Sequence, residues 1–113
     1  MAIIYHITYQ EDWDTAIAKG EYYAESLMEE GFIHCSTKEQ ILIPANEMYR
    51  WQFGLILLKI ESDAIKSKIV YEDTYNTGQE FPHIYGPVNI DAVQGTIDFP
   101  PNEDGTFSLP AGL

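Results

Sequence analysis

Alternating apolar and polar positions predict a strand at the start of the chain. Two sets of side chains fall on its opposite faces, with Ile3, Tyr5 and Ile7 on one and Ile4, His6 and Thr8 on the other. A second strand is expected at residues 32–36, with Phe32, His34 and Ser36 on one face and Ile33 and Cys35 on the other. Both predicted strands therefore carry one histidine and one hydroxyl on the same face.

The first half of the chain also contains helical patterns. Residues 11–19 predict a helix that buries Trp13, Ala16 and Ile17 and ends at Gly20. A helical turn is expected just before Gly31.

A further helix is expected from the capping-box pattern of Ser36 and Glu39 to about residue 51. Pro44 lies inside this segment and predicts a kink or a break. The apolar stripe of this helix comprises Ile41, Leu42, Ala45, Met48 and Tyr49. Ser36 is interpreted as its N-cap, and a role as a site hydroxyl is the alternative.

The second half of the chain is dominated by strand patterns. Residues 55–60 are almost continuously apolar and predict a central strand that is covered on both faces. Further strands are expected at residues 69–71, 83–85, 94–99 and 106–109, and a mobile loop at residues 74–82. The chain contains no repeat or linker, so we expect one α+β domain over residues 1–113, with most of its helix in the first half.

The net charge of the chain limits the kinds of partner that it is expected to bind. The 113 residues contain six basic and eighteen acidic side chains, which gives a formal charge of −12. Binding to a phosphate backbone or an anionic membrane depends on clustered lysine and arginine, so neither partner is expected. The sequence shows no signal peptide and no membrane-spanning run, and its single cysteine fits a reducing compartment. We therefore expect a cytoplasmic protein.

The three histidines are the main candidates for chemistry. His6, His34 and His83 each lie in a strand-like segment with other polar groups, so a shared site is one interpretation. Three imidazoles can also hold zinc, although these three lack ligand spacing. The simplest alternative for each is a partly buried ring that is satisfied by a backbone carbonyl.

Three other side chains, those of Cys35, Glu72 and Glu80, are further candidates for chemistry. Cys35 follows His34 directly, and adjacent strand residues point to opposite faces, so a thiolate–imidazole pair is not expected and Cys35 is assigned to the core. Glu72 lies at a strand end near the predicted loop and Glu80 lies just before His83, and either carboxylate could reach a cleft or remain a solvated surface acid. Phosphate-binding glycine loops, a nucleophile elbow, a C-x-x-C motif and an H-E-x-x-H motif are absent from the sequence.

Several segments in combination resemble domain-of-unknown-function family 952. The segments that carry the resemblance are Tyr5-His-Ile-Thr8, Glu30-Gly-Phe-Ile-His-Cys-Ser-Thr37, Gln40, Ala45-Asn46, Val70-Tyr-Glu72, Phe81-Pro-His-Ile-Tyr-Gly-Pro87 and Asp91-Ala-Val93. They cover nearly the whole chain. The resemblance extends to the ADP-ribosyltransferase-like fold, which implies split antiparallel sheets that grip NAD between them.

The resemblance also implies roles for particular residues. His6, His34 and His83 fall at the three strand motifs as catalytic candidates, with Thr8, Ser36, Tyr85 and Glu72 as ligand-binding neighbours. It implies cleavage of the nicotinamide–ribose bond of NAD or a related nucleotide, by an ADP-ribosyl or phosphoribosyl type of transferase. The sequence departs from the pattern at the third strand, where His83 replaces a glutamate.

Two other functions remain open at this point. One is a non-catalytic module that binds a small ligand or a partner protein, and the other is a metal site at the three histidines.

Overall fold

The computed structural model describes residues 2–113 as alternating strands and short helices. In chain order the strands and α-helices are β1 (Ile3–Tyr9), α1 (Gln10–Lys19), β2 (Glu21–Tyr22), α2 (Glu25–Glu30), β3 (Ile33–His34), α3 (Leu42–Met48), β4 (Leu55–Glu61), β5 (Lys68–Glu72), β6 (Phe81–Tyr85), β7 (Val88–Asn89) and β8 (Val93–Asp98). Short 3-10 helices occupy Ser62–Ala64 and Ile90–Ala92. The mixed α+β class is confirmed, and the three α-helices of the described residues all lie in the first half, as predicted.

Three antiparallel groups of strands form the framework. The first sheet has the order β1-β4-β8, the second has the order β3-β6-β5, and β2 pairs with β7. The apolar run at residues 55–60 is the central strand of the first sheet, and its residues are buried apart from the partly exposed Lys59. Backbone hydrogen bonds between Tyr5 and Ser36 connect the two larger sheets.

The alternation in β1 separates two hydrophobic clusters. Ile4 packs with Trp13, Leu58 and Ile84 in one cluster, and Tyr5 packs with Phe99 and other residues in the second. Cys35 is buried in the first cluster, which confirms its assignment to the core. Burial raises the pKa of its thiol, so Cys35 is a neutral packing residue.

The helix ends agree with the glycine signals. Gly20 and Gly31 adopt left-handed conformations, with φ of 90° and 89°, and each closes the preceding helix through its backbone N–H. Such φ values carry little steric cost only for glycine. Among residues 2–113, no helix combines the length and apolar character needed to cross a membrane.

Several local predictions were wrong. Helix α3 begins at Leu42 without a side-chain cap, so Ser36 does not act as its N-cap, and the helix ends at Met48. Pro44 falls in the first turn, where its missing N–H has no intrahelical partner to lose. Ile17 and Met48 are 54% and 65% exposed, because each lies at the edge of its helix's apolar face.

The expected last strand is also absent. The chain is irregular after residue 98, including residues 106–109, where no strand is assigned. Phe107 is nevertheless buried and stacks on Phe99 with ring centroids 4.7 Å apart. A buried aromatic side chain therefore holds this segment without a strand partner.

Candidate functional site

Strands β3 and β6 bring two of the three histidines together. His34 lies directly opposite His83 in the antiparallel register, so their side chains share one face of the second sheet. The two ring centroids are 5.4 Å apart in an edge-to-face arrangement. Residues far apart in sequence thus become neighbours because of strand pairing.

Glu72 joins His83 from the neighbouring strand β5. His83 Nδ1 lies 2.8 Å from Glu72 Oε2, and this carboxylate also accepts a hydrogen bond from the Tyr85 hydroxyl. The Tyr85 bond and then the His83 bond hold the pKa of Glu72 below its ordinary value. Glu72 is therefore ionised at neutral pH and accepts the hydrogen bond that His83 donates from Nδ1.

A second carboxylate pairs with His34 in a similar way. His34 Nε2 lies 2.7 Å from Glu30 Oε2, and the Tyr75 hydroxyl donates to the other oxygen of Glu30. The Tyr75 bond and then the His34 bond lower the pKa of Glu30, while burial and the neighbouring carboxylate raise the pKa of Tyr75 to about 12. With Nε2–H donating to Glu30, Nδ1 of a neutral His34 retains a free lone pair.

Aromatic rings enclose one histidine and leave the other accessible. Phe32 stacks on His83 at a centroid distance of 4.1 Å, and the His83 side chain is only 3% exposed. His34 stacks on Tyr75 at 5.9 Å, and its side chain remains 33% exposed. His34 is thus the imidazole that an external molecule reaches first.

The loop at residues 73–80 carries Tyr75 over this face. The Asp73 carboxylate accepts hydrogen bonds from the backbone N–H groups of Thr77 and Gly78, at 2.7 and 2.8 Å. At the far end, the Gln40 side chain donates to the Glu80 carbonyl at 2.8 Å. The predicted loop ends at residue 80 rather than at 82, because Phe81 and Pro82 belong to β6. Its own hydrogen bonds hold Tyr75 in position beside Glu30.

His6 occupies a different environment, on β1 and inside the protein. Its Nδ1 lies 2.5 Å from the His34 carbonyl oxygen, and its Nε2 lies 2.8 Å from the Tyr22 hydroxyl. Burial is the main reason that its pKa falls to about 4. The ring is therefore neutral at pH 7, with Nδ1–H donating to the carbonyl and Nε2 accepting from Tyr22.

Thr8 completes this buried network. Its hydroxyl oxygen lies 2.9 Å from the hydroxyl oxygen of Tyr22. Tyr22 has one hydroxyl proton and donates it to His6, so in the neutral network the Thr8 hydroxyl donates to Tyr22. Burial raises the pKa of Tyr22, so that its hydroxyl stays protonated. The result is a chain of hydrogen bonds through Thr8, Tyr22 and His6 that ends at the backbone carbonyl of His34.

The structure brings together only two of the three imidazoles, those of His34 and His83, on one face of the second sheet. His34, His83, Glu72 and Tyr85 form the outer cluster, together with Glu30 and Tyr75. His6 and Thr8 are buried at 7% and 4% exposure, and Ser36 is buried in the connection between the sheets. Burial of β1 between two hydrophobic clusters explains why His6 does not reach the outer face.

The alternative of a three-histidine metal site is not supported. Within residues 2–113, no three histidine, cysteine, aspartate or glutamate side chains are grouped so that they could hold a metal ion. Both nitrogens of His6 already have protein partners, so this ring is not available as a ligand.

We expect the buried His6 to make folding stability depend on pH. The unfolded chain takes up a proton near pH 6.5, whereas folded His6 does so only near pH 4. Stability should therefore fall as the pH drops through this window, by about 2 kcal/mol between pH 7 and pH 5. Urea unfolding of the wild type and of His6→Gln at both pH values measures this loss of stability. The variant should lack the contribution of His6, because glutamine does not titrate. An equal pH dependence in both proteins would contradict this assignment.

Comparisons with known proteins agree with this fold. The model of a protein family of unknown function, DUF952, matches residues 7–96. The chain belongs to the DUF952 family. No curated protein matches the chain.

Solved structures of another protein show the same fold. A crystal structure of protein CC0527 from Caulobacter crescentus is similar to this DUF952 chain with 31% sequence identity and a TM-score of 0.87, covering 96% of this chain and 95% of the other. A solution NMR structure of CC0527 gives 32% identity and a TM-score of 0.84, covering 100% and 97% of the two chains.

Sequence reasoning missed four side chains of this DUF952 site. Glu30 and Tyr75 complete the group around His34, Phe32 stacks on His83, and Tyr22 contacts His6. The spacing of Glu30 and His34 across Gly31 was a usable signal, because a glycine after a helix turns the chain sharply. Of the two candidate carboxylates, Glu72 bonds to His83, whereas the contact of Glu80 is that of its backbone carbonyl with Gln40.

Proposed function

We propose that this DUF952 protein binds NAD or a related nucleotide at the outer face of the β3–β6–β5 sheet and cleaves the bond between ribose and base. The observation that carries the proposal is the pairing of His34 with Glu30 and of His83 with Glu72 on one face. The resemblance to ADP-ribosyltransferase-like enzymes supplies the class of reaction, and the cluster supplies groups suited to it.

Glu72 supplies the carboxylate that the third-strand motif lacks. Cleavage of a base–ribose bond builds positive charge on the ribose ring as the bonding electron pair leaves with the base. An ionised carboxylate close to the ring stabilises that charge more in the transition state than in the ground state. Tyr85 and His83 hold Glu72 in a fixed orientation, with its side chain 29% exposed toward a ligand.

His34 is the group suited to activate the acceptor. Glu30 binds its Nε2–H and leaves the Nδ1 lone pair free, as a carboxylate orients the base of a hydrolytic triad. The acceptor, water or an alcohol, forms a bond to the anomeric carbon, and its proton passes to Nδ1. His83 is enclosed by Phe32, so we assign it to positioning Glu72 rather than to proton transfer.

The proposal is tested by incubating the purified protein with millimolar NAD and measuring released nicotinamide by mass spectrometry. We expect release above the uncatalysed rate, reduced at least tenfold in His34→Ala, because general base catalysis contributes about 10²–10⁴-fold. A variant in the loop near Gly105, Glu103→Gln, serves as the control and should match the wild type. Release equal to the uncatalysed rate would remove the enzymatic proposal.

A non-catalytic binding module is the competing function. Its support is that each histidine, glutamate and tyrosine side chain of the outer cluster already has at least one hydrogen-bond partner within the cluster, as in a structural network. Calorimetric titration with NAD and ADP-ribose distinguishes the two functions. Binding without nicotinamide release would indicate a module, whereas binding with release supports the enzyme.

A further inference from the structure

We infer that the preferred ligand of the outer cluster is a ribonucleoside without phosphate groups, carrying a neutral or positively charged base. This inference rests on the proposed function, because it concerns the same site and the same base–ribose bond. It narrows the ligand from nucleotides in general to the half of NAD that contains the base and its ribose.

The groups that face a ligand here are hydrogen-bond acceptors with negative charge. Glu30 and Glu72 are separated by the two histidine rings, whose centroids are 5.4 Å apart. Each carboxylate is currently satisfied by a tyrosine hydroxyl and an imidazole N–H. A ligand that replaces one of these donors must itself donate, as ribose hydroxyls do and phosphate oxygens do not.

Positive charge around the cluster is sparse. In the part of the chain that the structure describes, neither carboxylate forms an ion pair with lysine or arginine. Lys68 lies opposite Tyr85 in the β5–β6 register and is the lysine whose charge acts on Glu72. One lysine against two carboxylates leaves the cluster with negative charge, and like charges repel an incoming phosphate.

The position of α2 adds to this preference. Glu30 is the last residue of the helix, so the side chain that bonds to the His34 ring comes from the carbonyl end of α2. Carbonyl ends carry partial negative charge and favour cations, whereas phosphate groups are bound by the N–H ends of helices. A pyridinium base, which is positively charged, therefore suits the face of the His34 ring. The aromatic Tyr75 ring stacks on His34 there, so a base that binds would take the place of that ring.

The test compares three probes that share one base: nicotinamide riboside, nicotinamide mononucleotide and NAD. Calorimetry at low salt should show the riboside binding about tenfold more tightly than either phosphorylated probe, and the difference should shrink as salt screens the charges. Equal or tighter binding of the mononucleotide or NAD would overturn this inference and leave the proposed function standing. Absence of binding by all three probes would overturn both.

Two variants that each remove one negative charge test whether Glu30 causes the preference for the riboside. Glu30→Gln removes one negative charge, so the ratio between the riboside and the mononucleotide should fall from about tenfold to about threefold. Glu103→Gln removes a charge elsewhere, and we expect it to keep the wild-type ratio. Thermal unfolding of both variants verifies that they are folded. An unchanged ratio in folded Glu30→Gln would show that the carboxylate does not select the ligand.

Discussion

Replacing Glu72 with glutamine should lower the rate of base–ribose cleavage about 100-fold. The carboxylate faces developing positive charge in the proposed reaction, and removal of one such electrostatic contact commonly costs about 10²–10³-fold in rate. The amide has nearly the same shape, and its oxygen can still accept a hydrogen bond from Tyr85 or His83. Initial rates of nicotinamide release with nicotinamide riboside as substrate measure the effect.

Glu80→Gln is the matched control for this change. Glu80 lies at the end of the same loop, and the contact that the structure shows for it runs through its backbone carbonyl. We expect Glu80→Gln to retain the wild-type rate and both variants to unfold at nearly the wild-type temperature. A Glu72→Gln protein that is folded and fully active would show that this carboxylate has no part in the chemistry.

Replacing Leu58 with alanine should lower the free energy of unfolding by about 3–5 kcal/mol. Leu58 is fully buried in the central strand β4, directly opposite His6 in β1. The change removes three carbon atoms from a packed cluster and leaves a cavity that neighbouring strands cannot fill, because their register is fixed by pairing on both sides. The free energy of unfolding of a typical domain is about 5–15 kcal/mol, so the expected loss is a large share of the total.

Urea unfolding of the variant, monitored by tryptophan fluorescence, tests this expectation. Leu109→Ala is the control, since Leu109 is 46% exposed and its truncation should change stability by about 0.5 kcal/mol or less. Equal effects of the two substitutions would contradict the central position of Leu58. If the Leu58→Ala protein does not fold, Leu58→Val removes less volume and should give a smaller loss.

Local pattern was a good guide where side chains alternate or where glycine ends a helix. The period of two in residues 3–8 separates the two hydrophobic clusters, and Gly20 and Gly31 end helices as expected. The capping-box pattern at Ser36 was misleading. Backbone pairing of Ser36 with Tyr5 holds this residue in a strand connection, and tertiary pairing prevailed over a local capping preference.

The candidate site was predictable only in part, for a related reason. Strand pairing placed His34 beside His83, and no local sequence signal specifies which strands pair. Glu30 was overlooked because its contact depends on the turn at Gly31, and Tyr75 because it lies in a segment without periodicity. His6 was expected to share the site, although a buried strand face gives a histidine a network of protein partners instead.

The sequence by itself determined the α+β class, the positions of most strands, the family and the acidic character of the surface. These properties follow from periodicity, composition and motifs, each of which is local along the chain. Only the tertiary structure decided which histidines meet, which carboxylate pairs with each, and which ring is sealed inside. The meeting of His34 with His83 and the burial of His6 depend on contacts between residues far apart in the chain, and local propensity does not encode such contacts.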